Sequence, residues 1–209
     1  MKTSIRRSLL LLFLFSFLCA GGAVATAAGP TEVLRPTLQG MIDVIRDPGL
    51  AGTENKEERR RKIMEIASRG FDFTEMSKRV LGRTWQKISQ EEREQFVRLF
   101  TKLLENAYVG KLEEYSGQEI IYKDERIKGK KAAVLTFVKH NGAAPLPVSY
   151  VMLKNGKGWQ VYDLNIEGVS FLRNYRDQFK SILRKKKYAG LVKVLEEKNA
   201  SFTGDGAAQ

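Results

Sequence analysis

The hydrophobic period changes along this chain, and the change fixes the class of fold it can adopt. From Pro30 to about Tyr115 apolar residues recur at three- and four-residue spacing, as in helices that bury one stripe. From about Gln118 to Ile166 they fall instead in short β-branched and aromatic runs separated by Gly and Pro, as in strands. After Gly168 the helical spacing returns. Helices, then a sheet, then helices again predict an α+β domain. A chain of 209 residues, 43% hydrophobic and 29% charged, can bury a substantial core without metals or disulfides.

The local signals place the elements. Val33, Leu34, Leu38, Met41, Ile42 and Ile45 form the stripe of a first helix that Pro48-Gly49 stops. A heavily charged helix from about Glu54 carries Ile63, Ile66 and Ala67. Asp72 with Glu75 caps a short helix through Met76, Val80 and Leu81, closed by Gly82. Ser89 with Glu92 is a capping box that opens the longest helix. Its apolar face, from Phe96 to Tyr115, is wider than a two-helix contact requires. Ile120-Ile121-Tyr122, Ala132 to Val138 and Leu146 to Leu153 read as strands, and Asn155-Gly156-Lys157-Gly158 reads as a hairpin turn into Trp159 to Ile166. Phe171, Leu172, Tyr175, Phe179, Ile182 and Leu183 mark a later helix, and Leu191, Val192 and Leu195 a last short one. Residues 28–200 are expected to form one domain and residues 201–209 a disordered tail.

The first residues have a different purpose. Lys2, Arg6 and Arg7 precede an apolar run from Leu9 to Leu18, followed by small residues with cleavage motifs ending at Ala25 and Ala27. That order describes a cleaved secretory signal peptide over residues 1–27, too short in its apolar part to cross a bilayer, which takes about 20 residues. Cleavage after Ala27 leaves 182 residues and lowers the net charge from +12 to +9, because the leader holds three positive charges and no negative ones. The alternative use of Cys19 as a lipidated residue is opposed by the bulky Leu18 before it. Without Cys19 the mature chain holds no cysteine, which suits folding in an oxidising compartment.

The same composition limits the chemistry. One His and one Cys cannot assemble a zinc site of several such ligands, and His140 beside Asn141-Gly142 reads as a loop histidine. Asp124, Asp163 and Glu167 lie near strand ends, where a carboxylate pair could form, but spacing alone does not bring them together. The glycines around Lys157 lack the context of a phosphate loop. Two basic runs, Arg59-Arg60-Arg61-Lys62 and Arg184-Lys185-Lys186-Lys187, suit solvated helix faces, anionic headgroups or an acidic protein surface; export argues against nucleic acid. The strands carry apolar residues on both faces, Leu135 and Phe137 against Val134 and Val138, and Val148, Tyr150 and Met152 against Val151 and Leu153. Either both faces are packed core, or one lines an apolar cavity.

Several segments together resemble the MlaC family, the periplasmic phospholipid-binding components of the Mla lipid-transport system, also known as toluene-tolerance auxiliary proteins. They are Phe71-Asp72-Phe73 with Leu81-Gly82-Arg83-Thr84-Trp85, the run from Ser89 to Phe96, Tyr115-Ser116-Gly117, Trp159 to Leu164, and Glu167-Gly168-Val169-Ser170 with Asn174-Tyr175-Arg176. The resemblance implies an NTF2-like α+β fold: a helix-rich N-terminal half on a curved, mainly antiparallel sheet of about four strands, with C-terminal helices. It implies a non-enzymatic monomer without cofactor that sheathes phospholipid tails and docks on an inner-membrane ABC transporter with an MCE-domain subunit and on an outer-membrane lipoprotein complex. An NTF2-like enzyme using Asp163 or Glu167, or an interaction module with a solid core, are the alternatives. On the lipid-carrier reading the expected tail contacts are Phe96, Phe100, Leu103 and Tyr108 on the long helix and Leu135, Phe137, Val148, Tyr150, Met152 and Tyr162 on the strands. Val169, Phe171, Leu172 and Tyr175 complete the set, and the two basic runs are the expected docking residues.

Overall fold

The computed structural model describes residues 28–113, 119–139 and 144–204; the expected signal peptide, Tyr115-Ser116-Gly117, His140 and the last five residues lie outside that range. Four helices come first: α1 (Pro30–Arg46), α2 (Lys56–Gly70), α3 (Phe73–Leu81) and α4 (Gln90–Glu113), with 3-10 turns at Pro48–Leu50 and Gly82–Gln86. Strands β1 (Glu119–Lys128), β2 (Lys131–Lys139), β3 (Leu146–Asn155), β4 (Gly158–Ile166) and the two-residue β5 (Val169–Ser170) form one antiparallel sheet in chain order. Helix α5 (Phe171–Gly204) closes the chain.

The predicted caps form. Asp72 accepts from the Glu75 amide at 2.8 Å. Ser89 Oγ accepts from the Glu92 amide at 3.2 Å, while Glu92 accepts from the Ser89 amide at 2.8 Å. Gly82, at φ 55°, ends α3 in a conformation that a side chain would resist.

Two boundaries differ from the sequence-based expectation. Strand β1 runs on to Lys128 through charged residues, because an edge strand needs only its backbone to pair with β2. That extension has a use: Glu125 accepts from the Thr31 amide at 2.7 Å, satisfying one of the unpaired donors at the start of α1. The two C-terminal helices form as expected and are joined within α5 across a kink at Lys187 (φ 59°, ψ −170°). Ser201 to Gly204, expected to lack order, are its last turn, where Ser201 Oγ donates to the Lys198 carbonyl at 2.8 Å.

The apolar residues form two cores. The first joins Leu34, Leu38 and Met41 of α1, and Ile63 and Ala67 of α2, to Ala132, Val134, Val148, Tyr150, Met152 and Val161 of the sheet. The second joins α3, α4 and α5 through Met76, Val80, Phe96, Phe100, Leu103, Leu104, Leu172, Phe179, Leu191 and Leu195, and it includes Tyr162. A bulge in β4 shifts the register at this division. Met152 pairs with Val161 and Val151 with Asp163, so Tyr162 is the additional residue and enters the second core while its neighbour Val161 enters the first. Buried Gln160 is satisfied in the same region, donating to the Arg69 carbonyl at 2.9 Å and accepting from Asn155 at 2.9 Å.

Candidate functional site

Because residues paired across antiparallel strands share a face, the register assigns every sheet side chain to one side. Ala133 opposes Val151, Leu135 opposes Ser149, Phe137 opposes Pro147, and Ile121 opposes Phe137 on the other flank. On this face Val151 and Leu153 pack against the second core. Ile121, Leu135 and Phe137 continue the same face, are half-buried, and belong to neither core. They form an apolar strip beyond the second core that no core residue among those described is grouped with.

An aromatic ladder between α4 and α5 leads inward from the surface. Ring centroids are 5.0 Å apart for Tyr108 and Phe171, 5.1 Å for Phe171 and Tyr175, and 5.3 Å for Tyr175 and Phe100. Phe179 then stands 5.7 Å from Phe100 and 6.0 Å from Phe96. Exposure falls along it from 36% at Tyr108 to 0% at Phe96. Burial, aided by a hydrogen bond to Tyr108, pushes the Tyr175 hydroxyl well above the usual phenol range.

The structure distributes the expected tail contacts over several places. Phe96, Phe100, Leu103, Tyr162 and Leu172 are second-core residues. Val148, Tyr150 and Met152 lie in the first core, on the opposite sheet face. Tyr108, Phe171 and Tyr175 stand at the outer end of the ladder, Leu135 and Phe137 on the strip, and Val169 is 64% exposed at the turn before α5.

That turn is tightly built. Glu167 (φ 51°) and Gly168 (φ 84°) both adopt left-handed conformations between the paired residues Ile166 and Val169, as a two-residue hairpin demands. Ser170 Oγ accepts from the Arg173 amide at 3.1 Å and donates to Asp163 Oδ2 at 2.7 Å. Asp163 Oδ1 accepts from the amides of Leu172 at 3.0 Å and Leu164 at 2.8 Å. The carboxylate that looked like a candidate acid or base thus acts as a long-range cap for α5, a role its distance in sequence conceals. Ser170→Ala should lower stability by about 1 kcal/mol, the usual loss for an N-cap, a change that thermal unfolding reads. Beside this cap lies a cavity of about 280 Å³ lined by Arg79, Tyr162, Asp163, Ser170, Leu172, Arg173 and Arg176.

The two basic runs have different surroundings. Arg59 donates to the carbonyls of Leu50 and Gly52 at 2.7 and 3.1 Å, and Arg60 donates to Glu105 at 3.3 Å and Asn106 at 2.8 Å. Arg61 pairs with Glu58 at 2.6 Å, and Lys62 lies 3.8 Å from the same carboxylate. Arg184, Lys185, Lys186 and Lys187 are all exposed and have no ion pair among the described residues. No group of three or more His, Cys, Asp or Glu residues stands ready for a metal ion among the described residues, and no helix there is long and apolar enough to cross a membrane.

This architecture has known counterparts. The chain is 30% identical over 124 residues to the intermembrane phospholipid transport system binding protein MlaC of Haemophilus influenzae, a stretch covering 57% of this chain and 58% of that one. It is 29% identical over 101 residues to the toluene tolerance protein ttg2D of Pseudomonas putida, covering 48% and 47% of the two chains. The alignments thus span about half to three-fifths of the length of these curated relatives. The fold matches the phospholipid-binding protein from Ralstonia solanacearum, whose structure is a complex with a phospholipid, at a TM-score of 0.77 and 28% identity, covering 84% of this chain and 99% of that one. A family model described as MlaC protein matches residues 35–197. Since that match reaches every helix and strand described above, the chain belongs to the MlaC protein family.

Proposed function

We propose that this protein is a phospholipid carrier of the periplasm, a binding protein and not an enzyme. The observation that carries the reading is the match, over nearly the whole length of the Ralstonia protein, to a structure that holds a phospholipid. The apolar strip at Ile121, Leu135 and Phe137 supports it, because these residues sit beside the second core without belonging to it. The outer end of the aromatic ladder at Tyr108, Phe171 and Tyr175 offers further apolar contact. The energetic need is large: at about 0.8 kcal/mol per methylene, a ~16-carbon tail bare in water costs on the order of 13 kcal/mol. Apolar contact supplies that energy without selecting a particular headgroup.

The signal sequence and the intermembrane role in the name of the Haemophilus relative support a periplasmic location. Purified protein, stripped of lipid and incubated with phosphatidylethanolamine and phosphatidylglycerol vesicles, should leave the vesicles carrying phospholipid. Folded protein that takes up none overturns the reading.

On this reading the carrier docks on an inner-membrane ABC transporter with an MCE-domain subunit and on an outer-membrane lipoprotein complex. Arg184 to Lys187 are the favoured docking charges, since the first run is engaged within the molecule. A carrier must leave each partner quickly, which calls for small, polar, salt-sensitive contacts. Rising salt should weaken docking while the tails stay in place, because exposed charges are screened and apolar burial is not. Docking indifferent to salt, or lipid released as salt rises, would contradict this assignment.

A further inference from the structure

We propose that the cavity at the start of α5 holds the phosphate of the lipid headgroup between the guanidinium groups of Arg79, Arg173 and Arg176. The inference rests on the carrier reading and gives its ligand a polar anchor. Arg173 and Arg176 lie three positions apart on α5, line the same cavity, and are exposed. Neither side chain has an ion pair or hydrogen bond among the described residues. Arg79 approaches from α3. Its guanidinium lies 3.8 Å over the Tyr162 ring and 2.7 Å from Glu75, while its Nε is buried without a partner.

The carboxylates nearby do not cancel this arrangement. Asp163 lines the cavity, but both its oxygens accept hydrogen bonds from Leu164, Ser170 and Leu172. With Asp163 and Glu75 counted, three guanidinium groups still leave a positive excess. Ser170 also lines the wall, yet its one O–H is given to Asp163, so the charged donors left for a ligand belong to arginine. Planar guanidinium groups match a phosphate with paired N–H donors, which makes arginine the suited residue.

The floor of the cavity identifies a phosphate joined to an apolar body as the ligand. Tyr162 and Leu172 line the cavity and are second-core residues at once. Phe171 and Tyr175, at the outer end of the ladder, lie within a turn of Leu172 on α5. A phosphate held by the arginines therefore lies where a glycerol backbone can send its tails between the ladder and the sheet. Inorganic phosphate offers the arginines the same oxygens but nothing to the apolar floor.

The test compares two lipids with the same tails, dioleoylphosphatidylglycerol and dioleoylglycerol, presented in phosphatidylcholine vesicles to lipid-free protein. Arg173→Gln with Arg176→Gln should lower retained phosphatidylglycerol relative to dioleoylglycerol by at least about tenfold, the loss of one charge-assisted contact. Both positions are exposed, so circular dichroism and melting should match the parent protein; Arg173→Lys with Arg176→Lys, which keeps the charge, should recover part of the loss. Inorganic phosphate should compete weakly with phosphatidylglycerol in the parent and not in the glutamine variant. Equal retention of phosphatidylglycerol by parent and glutamine variant overturns the inference and leaves the carrier reading intact. So does a parallel fall of both lipids, or inorganic phosphate that binds without affecting lipid. A parent protein that takes up neither lipid overturns the carrier reading and this inference together.

Discussion

Leu135→Asp is expected to remove nearly all phospholipid from a protein that still folds. The side chain is half-buried on the strip outside both cores, opposite Ser149, so a carboxylate there disturbs little that holds the fold together. Water reaches it in the folded chain. An acyl tail laid along the strip would take that water away, and an unpaired charge stripped of water costs several kcal/mol. At about 1.4 kcal/mol per factor of ten, a loss of at least about a hundredfold in affinity follows. Val134→Asp supplies the contrast one residue earlier. Val134 is 1% exposed in the first core, and a charge there should prevent folding altogether. Lipid per folded protein, with circular dichroism as the control, separates the two outcomes. A folded Leu135→Asp protein with its full lipid load would remove the strip from the site.

Phe100→Ala should have the largest effect on stability of any change that introduces no charge. Phe100 is fully buried and meets Phe96, Tyr175 and Phe179 with centroid distances from 5.3 to 5.7 Å, so it ties α4 to α5. Truncating such a residue costs about 3 to 5 kcal/mol, a large part of the roughly 5 to 15 kcal/mol that holds a domain together. For a chain of this size the melting temperature should fall by roughly 6 to 20 °C. Phe202→Ala near the end of α5, at a residue 45% exposed, should change stability by no more than about 0.5 kcal/mol. Thermal and urea unfolding measure both. A Phe100→Ala protein as stable as its parent would show that the ladder is not packed as core.

What was legible in the sequence was what is decided locally. Ser89 and Glu92, or Asp72 and Glu75, sit within one helical turn of each other, and their hydrogen bonds form where the spacing predicts. The ion pair of Arg61 with Glu58 is equally local. Arg184 to Lys187 have no acidic residue three or four positions away on either side, and they stay exposed. Long-range choices were hidden. Arg60 finds Glu105, 45 residues on, and Thr31 finds Glu125, 94 residues on. The charged half of β1 has no apolar alternation to announce it, and the bulge at Tyr162 leaves no mark in composition. The sequence therefore showed two apolar faces on the strands, but only the register revealed which face a core covers and which continues past it as the strip at Leu135 and Phe137.

The central claim is that acyl tails travel inside this protein, and the most direct measurement is of what the folded chain already holds. The protein, expressed with residues 1–27 intact and purified from the periplasm without detergent, should release phospholipid on organic extraction. Mass spectrometry should find a mixture of headgroups at near-equal molar amounts of lipid and protein. Folded protein that yields no phospholipid above the level of an unrelated periplasmic protein, and acquires none from vesicles, would contradict the account.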